Sequence, residues 1–240
     1  IPYRIDLAGG WLDQPYVNKH HGGPVLTISI EPDYDFNNRG GMSTSSRKAA
    51  IEMWHVDIPE GDRETLAKMV FRYENPPGSP YISGSQDAIG IVMPCLNRLN
   101  YDGGYWPRSI ETVKDSDVLD FIEKNLWLVP LAPRDNSYDV LADTHIDKAG
   151  AKALADAADD CWKALIAKDV TAWGKASTAA FEAQIAMFPN MVSPHVQKAI
   201  DEYKDKVKGY KITGAGGGGY LVIINDKPIE EAIQIRIRRK

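Results

Sequence analysis

The sequence predicts an α+β protein built from two domains. Residues 1 to about 113 consist of short apolar runs between Gly and Pro breaks, whereas mostly helical periodicity follows after residue 148. A short polar stretch at residues 114–117 separates the two halves and is typical of a domain junction. We therefore expect one domain over 1–116 and a second over 117–240.

The first half contributes strands and two helices. Residues 3–7 and 24–30 alternate or run apolar between turn residues, which predicts strands. A helix is expected over about 46–54. A second helix should begin after Asp62, because this side chain can cap it and apolar residues then recur at helical spacing.

The second half contributes most of the helices. The apolar residues of 148–167 fall on one helical face, and a second helix runs through 173–187. A third opens with Ser193 as N-cap and Pro194 at the first helical position, and we expect it to end at Gly209. The strands predicted around these helices are 125–131, 220–224 and 232–237.

Composition excludes several classes of function. The net charge of −5 argues against nucleic acid as the main partner, since a phosphate-backbone binder needs a basic face. No apolar stretch is long enough for a membrane span and no leader is evident, so we expect a cytoplasmic protein without a membrane partner. Cys95 and Cys161 are far apart and neither belongs to a Cys-x-x-Cys pair, which disfavours disulfides and structural zinc.

A glycine cluster near the C-terminus is the most informative local feature. Five of the six residues at 214–219 are glycine, and an apolar strand follows at once. Glycine is entropically costly to order, so this density suggests that the backbone comes very close to a phosphate or to another turn. A glycine-rich β-turn without a ligand is the alternative.

Two further loops add chemistry. Residues 4–15, RIDLAGGWLDQP, read as a strand that enters a Gly-Gly turn and presents Asp13. Residues 40–50, GGMSTSSRKAA, form a Gly-rich and hydroxyl-rich loop that enters a helix, whose N-terminus suits a triphosphate. This loop lacks the Walker A pattern, and a serine-rich helix cap is the alternative.

These three loops, in this order, resemble the motifs of the GHMP superfamily, which contains galactokinase, homoserine kinase, mevalonate kinase and phosphomevalonate kinase. The first loop is most similar to that of fucokinases and heptose-phosphate kinases. A fourth segment at 83–90, SGSQDAIG, resembles the Gly-x-Gln-Asp segment that holds the catalytic aspartate of these sugar kinases. The resemblance implies a ribosomal-S5-like N-terminal domain that binds ATP, a ferredoxin-like C-terminal domain, and an active site between them.

The resemblance also implies roles for individual residues. Asp87 would accept the proton of the substrate hydroxyl, and Arg4 would keep Asp87 ionised or lower the pKa of that hydroxyl; an ordinary structural ion pair is the alternative. Mg²⁺ would bind Ser45 and Glu74, although an exposed loop glutamate is also consistent with the sequence. The residues expected to bind ATP are Gly40, Gly41, Ser43, Thr44, Ser45 and Ser46.

Substrate recognition is expected to rest on Asp13, whose carboxylate could accept two sugar hydroxyls; a turn-capping aspartate is the alternative. The other substrate-binding candidates are Gly10, Gly216, Gly217 and Asp139. Trp11 and Trp106 are candidates for stacking on a sugar, while the other tryptophans are expected in the core.

The implied activity is transfer of the γ-phosphate of ATP to a hydroxyl of a sugar or sugar phosphate. A non-catalytic sensor of the same fold is an alternative, because the segment that separates the first motif from the phosphate loop, residues 16–39, is short for the family. A kinase for a non-sugar alcohol is a second alternative, for which Asp13 fits less well.

Overall fold

Two antiparallel four-stranded sheets form the framework of the protein. The structure is a computed structural model that describes residues 1–33, 36, 42, 44–134 and 138–240. The first sheet has the order β1-β2-β3-β4, so its strands follow the chain order. Its strands are β1 (Tyr3–Ala8), β2 (Gly23–Ile30), β3 (Leu96–Tyr101) and β4 (Ser109–Val113).

The second sheet has the order β6-β7-β5-β8. Strand β7, which follows the glycine cluster, is buried along its whole length and pairs with β5 on one side and β6 on the other. The strands are β5 (Leu126–Pro130), β6 (Gly209–Ile212), β7 (Tyr220–Ile224) and β8 (Ile233–Gln234).

Eight α-helices complete the described part of the chain. They are α1 (Pro15–Asn18), α2 (Thr44–Trp54), α3 (Arg63–Glu74), α4 (Ser85–Val92), α5 (Ser116–Asn125), α6 (Lys148–Ala167), α7 (Val170–Met187) and α8 (Pro194–Tyr203). A short 3₁₀ turn, Pro189–Met191, separates α7 from α8.

Helices α6 and α7 join the two sheets. They pack against each other, α6 also packs on β1 and β2, and α7 packs on β1, β6 and β7. Buried side chains from both halves consequently belong to one continuous hydrophobic core. Each sheet nevertheless comes from one half of the chain, and the boundary between 116 and 117 remains a prediction.

Several predicted elements are confirmed. Strands β1 and β2 and the helix over 148–167 lie where the periodicity indicates. Helix α3 begins after Asp62, whose carboxylate accepts a hydrogen bond from the Thr65 backbone N–H at 2.8 Å. Local sequence patterns are therefore sufficient to predict these three elements and the start of helix α3.

Two predicted boundaries are wrong. Helix α8 ends at Tyr203, and Gly209 begins strand β6 instead of stopping a helix. Gly209 is a glycine because β6 packs closely on α7: a Cβ there would lie 2.0 Å from the carbonyl oxygen of Gly174. The strand expected over 232–237 is only Ile233–Gln234, because the chain then leaves β5 and Ile237 forms a bridge with Ile30 of β2.

Candidate active site

A small cavity lies where β1, the start of α4, α7 and the glycine cluster meet. Its volume is about 180 Å³. Its lining includes Arg4 and Asp6 of β1, residues of the turn that follows this strand, and Asp87. This volume lies below the roughly 300–1,000 Å³ of sites for drug-sized ligands, so the cavity suits a small substrate.

An ion pair between Arg4 and Asp87 forms one side of the cavity. Arg4 Nη2 forms an ion pair with Asp87 Oδ1, and the arginine is 2% exposed. Asp87 stands in the first turn of α4, where the helix dipole favours a negative charge. Burial lowers the pKa of Arg4, while the nearby carboxylates of Asp6 and Asp13 oppose this change.

The close approach of Arg4 to α4 depends on a glycine. A Cβ at Gly90 would lie only 2.1 Å from Arg4 Cγ. The arginine stem therefore crosses the helix at a position where only glycine leaves room for it. The helix thus fixes both partners of the pair, since it carries Asp87 and seats Arg4.

Asp13 forms a second side of the cavity. Its Oδ1 accepts a hydrogen bond of 2.8 Å from Gln86 Nε2, and the residue is 2% exposed. A Cβ at Gly84 would lie 1.5 Å from Asp13 Oδ2, so this glycine gives the carboxylate its place beside α4. Burial raises the pKa of Asp13 from 3.8 to about 6, although the charge of Arg4 and the Gln86 hydrogen bond lower it in part.

A buried pair of Asp6 and Lys211 lies next to these groups, and sequence analysis missed it. Lys211 Nζ donates to Asp6 Oδ2 at 3.2 Å and to the Asp6 carbonyl at 2.7 Å. Burial lowers the pKa of Lys211, and the charge of Asp6 opposes this change. Asp6 lies two residues after Arg4 and thus on the same face of β1, which is the signal that could have identified it.

The turn between β1 and α1 carries Gly10 and Trp11 to the cavity. The Gly10 carbonyl accepts a hydrogen bond of 3.0 Å from Gln184 Nε2 of α7. Trp11 has φ +82, a conformation that non-glycine residues rarely adopt, and its ring stacks on Phe188 at 4.2 Å. The strained backbone and the stacked ring together hold the Trp11 side chain in the cavity wall.

Most of the glycine cluster serves packing. Gly214 and Ala215 line the cavity. Gly216 and Gly217 do not, and both contact Met191: a Cβ at Gly216 would lie 2.7 Å from its carbonyl oxygen, to which Gly217 N donates at 2.8 Å. These two predicted substrate-binding glycines are therefore not among the residues that line the cavity.

The expected phosphate loop lies partly outside the described residues, which exclude Gly40, Gly41 and Ser43. Thr44 and Ser45 are exposed at the start of α2. The next residue, Ser46, is buried, and its Oγ donates a hydrogen bond to Glu74 Oε2. The structure thus brings Ser46, the neighbour of the predicted metal ligand Ser45, into contact with Glu74.

Glu74 has features that fit a cation. Its Oε1 is buried and has no hydrogen-bond partner among the described residues. Its charge is also one of those that oppose the burial-driven lowering of the Arg4 pKa. A carboxylate oxygen beside a serine hydroxyl is a donor set that Mg²⁺ accepts. Within the described ranges, no group of three or more His, Cys, Asp or Glu side chains is arranged for a metal ion.

Two other sequence candidates lie away from the cavity. Asp139 is exposed, and its Oδ1 accepts a hydrogen bond from the Leu141 backbone N–H at 2.9 Å, as in a turn. Trp106 donates to Glu64 Oε1 at 3.2 Å and packs edge-on against Phe71 of α3. Neither residue belongs to the cavity lining.

In the described part of the chain, no helix has the length and apolar character needed to cross a membrane.

Comparisons with known proteins identify the fold. No protein-family model matches the chain, and a search of curated proteins finds no matching sequence. Solved structures do match. A crystal structure of mevalonate kinase is similar with a TM-score of 0.64 at 14% identity, covering 100% of this chain and 98% of the other.

Two further solved structures give the same result. D-glycero-D-manno-heptose 1-phosphate kinase from Bacteroides thetaiotaomicron has a TM-score of 0.61 at 13% identity, covering 99% of this chain and 94% of that chain. Phosphomevalonate kinase from Streptococcus pneumoniae, solved with phosphomevalonate and AMPPNP, has a TM-score of 0.64 at 11% identity, covering 95% and 91%. These proteins are GHMP kinases, and the predicted α+β GHMP-kinase fold is confirmed.

Proposed function

We propose that this protein is an ATP-dependent kinase that transfers the γ-phosphate to a hydroxyl of a sugar or sugar phosphate. One observation carries the proposal: the Arg4–Asp87 ion pair and the Asp13 carboxylate line the same small cavity. The GHMP-kinase fold supports a kinase. One of these solved structures is a mevalonate kinase and another is a heptose 1-phosphate kinase, so the comparisons do not define the substrate class. The proposal of a sugar substrate therefore rests on the cavity.

Asp87 is the proposed proton acceptor. Phosphoryl transfer requires mainly positioning and charge stabilisation, and a carboxylate near the nucleophile can orient the hydroxyl and take its proton. Arg4 holds Asp87 in its ionised form, because an opposite charge in contact favours the charged state. In this arrangement the hydroxyl proton passes to the Asp87 carboxylate while the hydroxyl oxygen bonds to the γ-phosphorus of ATP. The bond from this phosphorus to the β–γ bridging oxygen breaks, and ADP leaves with that electron pair.

Asp13 is the proposed substrate anchor. Its buried carboxylate, held by Gln86, can accept hydrogen bonds from hydroxyl groups and so turn one hydroxyl towards Asp87. Gly10 brings the backbone of the same turn to the cavity. The alternative is that Asp13 caps its own turn. The hydrogen bond from Gln86 does not support this alternative, because Gln86 lies on helix α4.

ATP is proposed to bind at the N-terminus of α2 through residues 40–46. Free N–H groups and the dipole at such a helix start favour phosphate. Glu74, with Ser46 or Ser45, is proposed to hold Mg²⁺, which would offset the charge of the phosphates. Phosphomevalonate kinase with AMPPNP supports use of an adenine nucleotide by this fold.

We also propose that residues 1–116 form the nucleotide domain and 117–240 the second domain. The first sheet and helices α2 to α4 belong to the first segment, and the second sheet to the other. The cavity takes residues from both segments, since Arg4 and Gln184 line it together. This is the arrangement expected when a site forms between two domains.

The test is coupled detection of ADP release with ATP, Mg²⁺ and a panel of sugars, sugar phosphates and non-sugar alcohols. We expect a sugar or sugar phosphate to stimulate ADP release. Asp87→Asn should lower kcat by at least about 100-fold, the usual scale of a lost acid or base. The control Asp205→Asn changes an exposed aspartate and should keep wild-type kcat.

Other results would select the alternatives. Sugars or nucleotides that raise the melting temperature without stimulating ADP release in any mixture would indicate a non-catalytic sensor. Release of ADP only with non-sugar alcohols would indicate a different acceptor class. Wild-type activity in Asp87→Asn would refute the proposed mechanism.

A further inference from the structure

Strand β1 carries two opposite charges on one face. Arg4 and Asp6 are two residues apart in a stretch of regular pairing with β2, and both line the cavity. Side chains so placed lie roughly 7 Å apart along a strand, a span that an arginine can bridge. Among the described residues, however, the ion pair of Arg4 is with Asp87, and that of Asp6 is with Lys211.

Lys211 reaches Asp6 from the other half of the chain. This lysine stands on β6 and is 1% exposed. Its Nζ donates to the Asp6 carbonyl at 2.7 Å, to Asp6 Oδ2 at 3.2 Å and to the Ile212 carbonyl at 3.1 Å. An ammonium group has three donors, and these three bonds use all of them. The charge of Lys211 is therefore held against the Asp6 carboxylate.

The Asp6 carboxylate also acts on Arg4. Burial lowers the pKa of Arg4, and Asp6 is the charge that most opposes this change. Burial also lowers the pKa of Lys211, where Asp6 opposes the change and the charge of Arg4 adds to it. The arginine, the lysine and the carboxylate between them are therefore electrostatically coupled.

The packing of Arg4 on α4 does not decide which carboxylate its guanidinium meets. A Cβ at Gly90 would lie 2.1 Å from Arg4 Cγ and 3.1 Å from its Cδ, so this contact holds the stem of the side chain. The guanidinium lies beyond the stem, and its direction depends on the charges around it.

The two carboxylates compete unequally for a cation. The Asp6 side chain is 3% exposed, whereas that of Asp87 is 23% exposed. A buried carboxylate loses more than a partly hydrated one when no cation lies beside it. Without Lys211, the guanidinium of Arg4 would therefore be drawn to Asp6 and away from Asp87.

We propose that Lys211 is a positioning residue of the reaction, which engages Asp6 and so leaves the Arg4 guanidinium to Asp87. The inference rests on the proposed kinase function, in which the Arg4–Asp87 pair prepares the acceptor hydroxyl. Lys211 is not among the residues that line the cavity and acts through Asp6 and Arg4. A residue of the second sheet thus determines how a strand of the first sheet presents its charge.

A crystal structure of Lys211→Met tests the inference directly. Methionine keeps an unbranched apolar stem and removes the charge. We expect the Arg4 guanidinium to lie within about 4 Å of the Asp6 carboxylate and to have left Asp87. A guanidinium that stays on Asp87 would overturn the inference, whatever the activity of the variant.

Kinetics distinguish positioning from a purely structural role. Lys211→Met and Asp6→Asn each remove one partner of the same buried pair, so both should lower the free energy of unfolding. Only Lys211→Met leaves a carboxylate that competes for Arg4. We therefore expect kcat for ADP release to be at least about tenfold lower in Lys211→Met than in Asp6→Asn, with a smaller change in KM. Equal losses of kcat would contradict the inference.

The double variant Lys211→Met/Asp6→Asn removes the competing carboxylate as well. We expect its kcat to exceed that of Lys211→Met by at least about tenfold, because Arg4 then returns to Asp87. Lys206→Met, at an exposed position in the turn before β6, is the control and should keep wild-type kcat. A double variant as slow as Lys211→Met would count against the proposed competition.

Lys211→Gln keeps the inference testable if Lys211→Met does not fold, because its amide can donate to Asp6 without a charge. We expect the same displacement of Arg4 and the same lower kcat relative to Asp6→Asn, and an arginine that remains on Asp87 would again overturn the inference. If the wild type releases no ADP with any acceptor, the proposed function fails. The position of Arg4 in the variant structure then still decides whether Lys211 directs the arginine.

Discussion

Replacing Asp13 with asparagine is expected to make the protein more stable and less active. The residue is 2% exposed, and burial raises its pKa from 3.8 to about 6. At 1.36 kcal/mol for each pKa unit, this difference corresponds to about 3 kcal/mol for ionising the buried carboxyl. Asparagine has the same shape and retains an oxygen that can accept the hydrogen bond from Gln86. We therefore expect Asp13→Asn to raise the free energy of unfolding above pH 6 by up to about 3 kcal/mol.

The dependence on pH identifies the cause. Between pH 3.8 and about 6 the folded protein keeps a proton on Asp13 that the unfolded chain has released. The wild type therefore loses stability as the pH rises through this window. Asparagine does not titrate there. The stability difference between variant and wild type should be small below about pH 4 and should reach its full value above about pH 6.

Urea unfolding from about pH 4 to about pH 8 measures this difference, with Asp205→Asn at an exposed site as the control. The same preparations are assayed for ADP release, where Asp13→Asn should lower kcat/KM by about 100-fold through loss of a charged hydrogen-bond acceptor. For the wild type, KM for the acceptor should rise as the pH falls below about 6, because Asp13 becomes protonated. A variant less stable than the wild type at pH 8, or a stability difference independent of pH, would refute the reasoning.

Three further predictions concern the surrounding residues. Gly90→Ala places a Cβ 2.1 Å from the original position of Arg4 Cγ, so kcat should fall by at least about tenfold in the ADP assay while circular dichroism shows a folded protein; an unchanged kcat would contradict this placement. Lys211→Met leaves the Asp6 carboxylate buried without its partner and should lower the free energy of unfolding by about 3–5 kcal/mol, measured in urea. Adding Asp6→Asn should recover most of that loss, and failure to do so would show that the pair is not the cause. Glu74→Gln should raise the Mg²⁺ concentration needed for half-maximal activity at fixed ATP, and an unchanged Mg²⁺ dependence would argue against Glu74 as a ligand.

Local elements with clear chemical signals could be predicted from the amino-acid sequence. Asp62 predicts the start of α3 because a carboxylate at this position accepts a backbone hydrogen bond that the helix cannot supply. The apolar spacing of Lys148–Ala167 predicts α6 because one helical face must be buried. Four ordered motifs indicated the GHMP-kinase fold, which the solved structures confirm.

The positions of the side chains in the candidate site are harder to predict from the sequence. Asp13 and Asp87 lie in motifs that predict a polar site, and the structure places both residues in the lining of one cavity. Gln184 lies on α7 at a position that reads as ordinary helix, and its contact with Gly10 spans 174 residues of sequence. No local pattern encodes such a contact, because it depends on how α7 is packed against the end of β1.

The roles of the buried Asp6–Lys211 pair and of the glycines follow from tertiary contacts. Asp6 and Lys211 are 205 residues apart, and their contact exists because α6 and α7 hold the two sheets together. Gly209 ends no helix, since its lack of a Cβ serves the close packing of β6 on α7. Local sequence sets the conformation of the backbone over a few residues, whereas the environment of a side chain comes from distant parts of the chain that share one core.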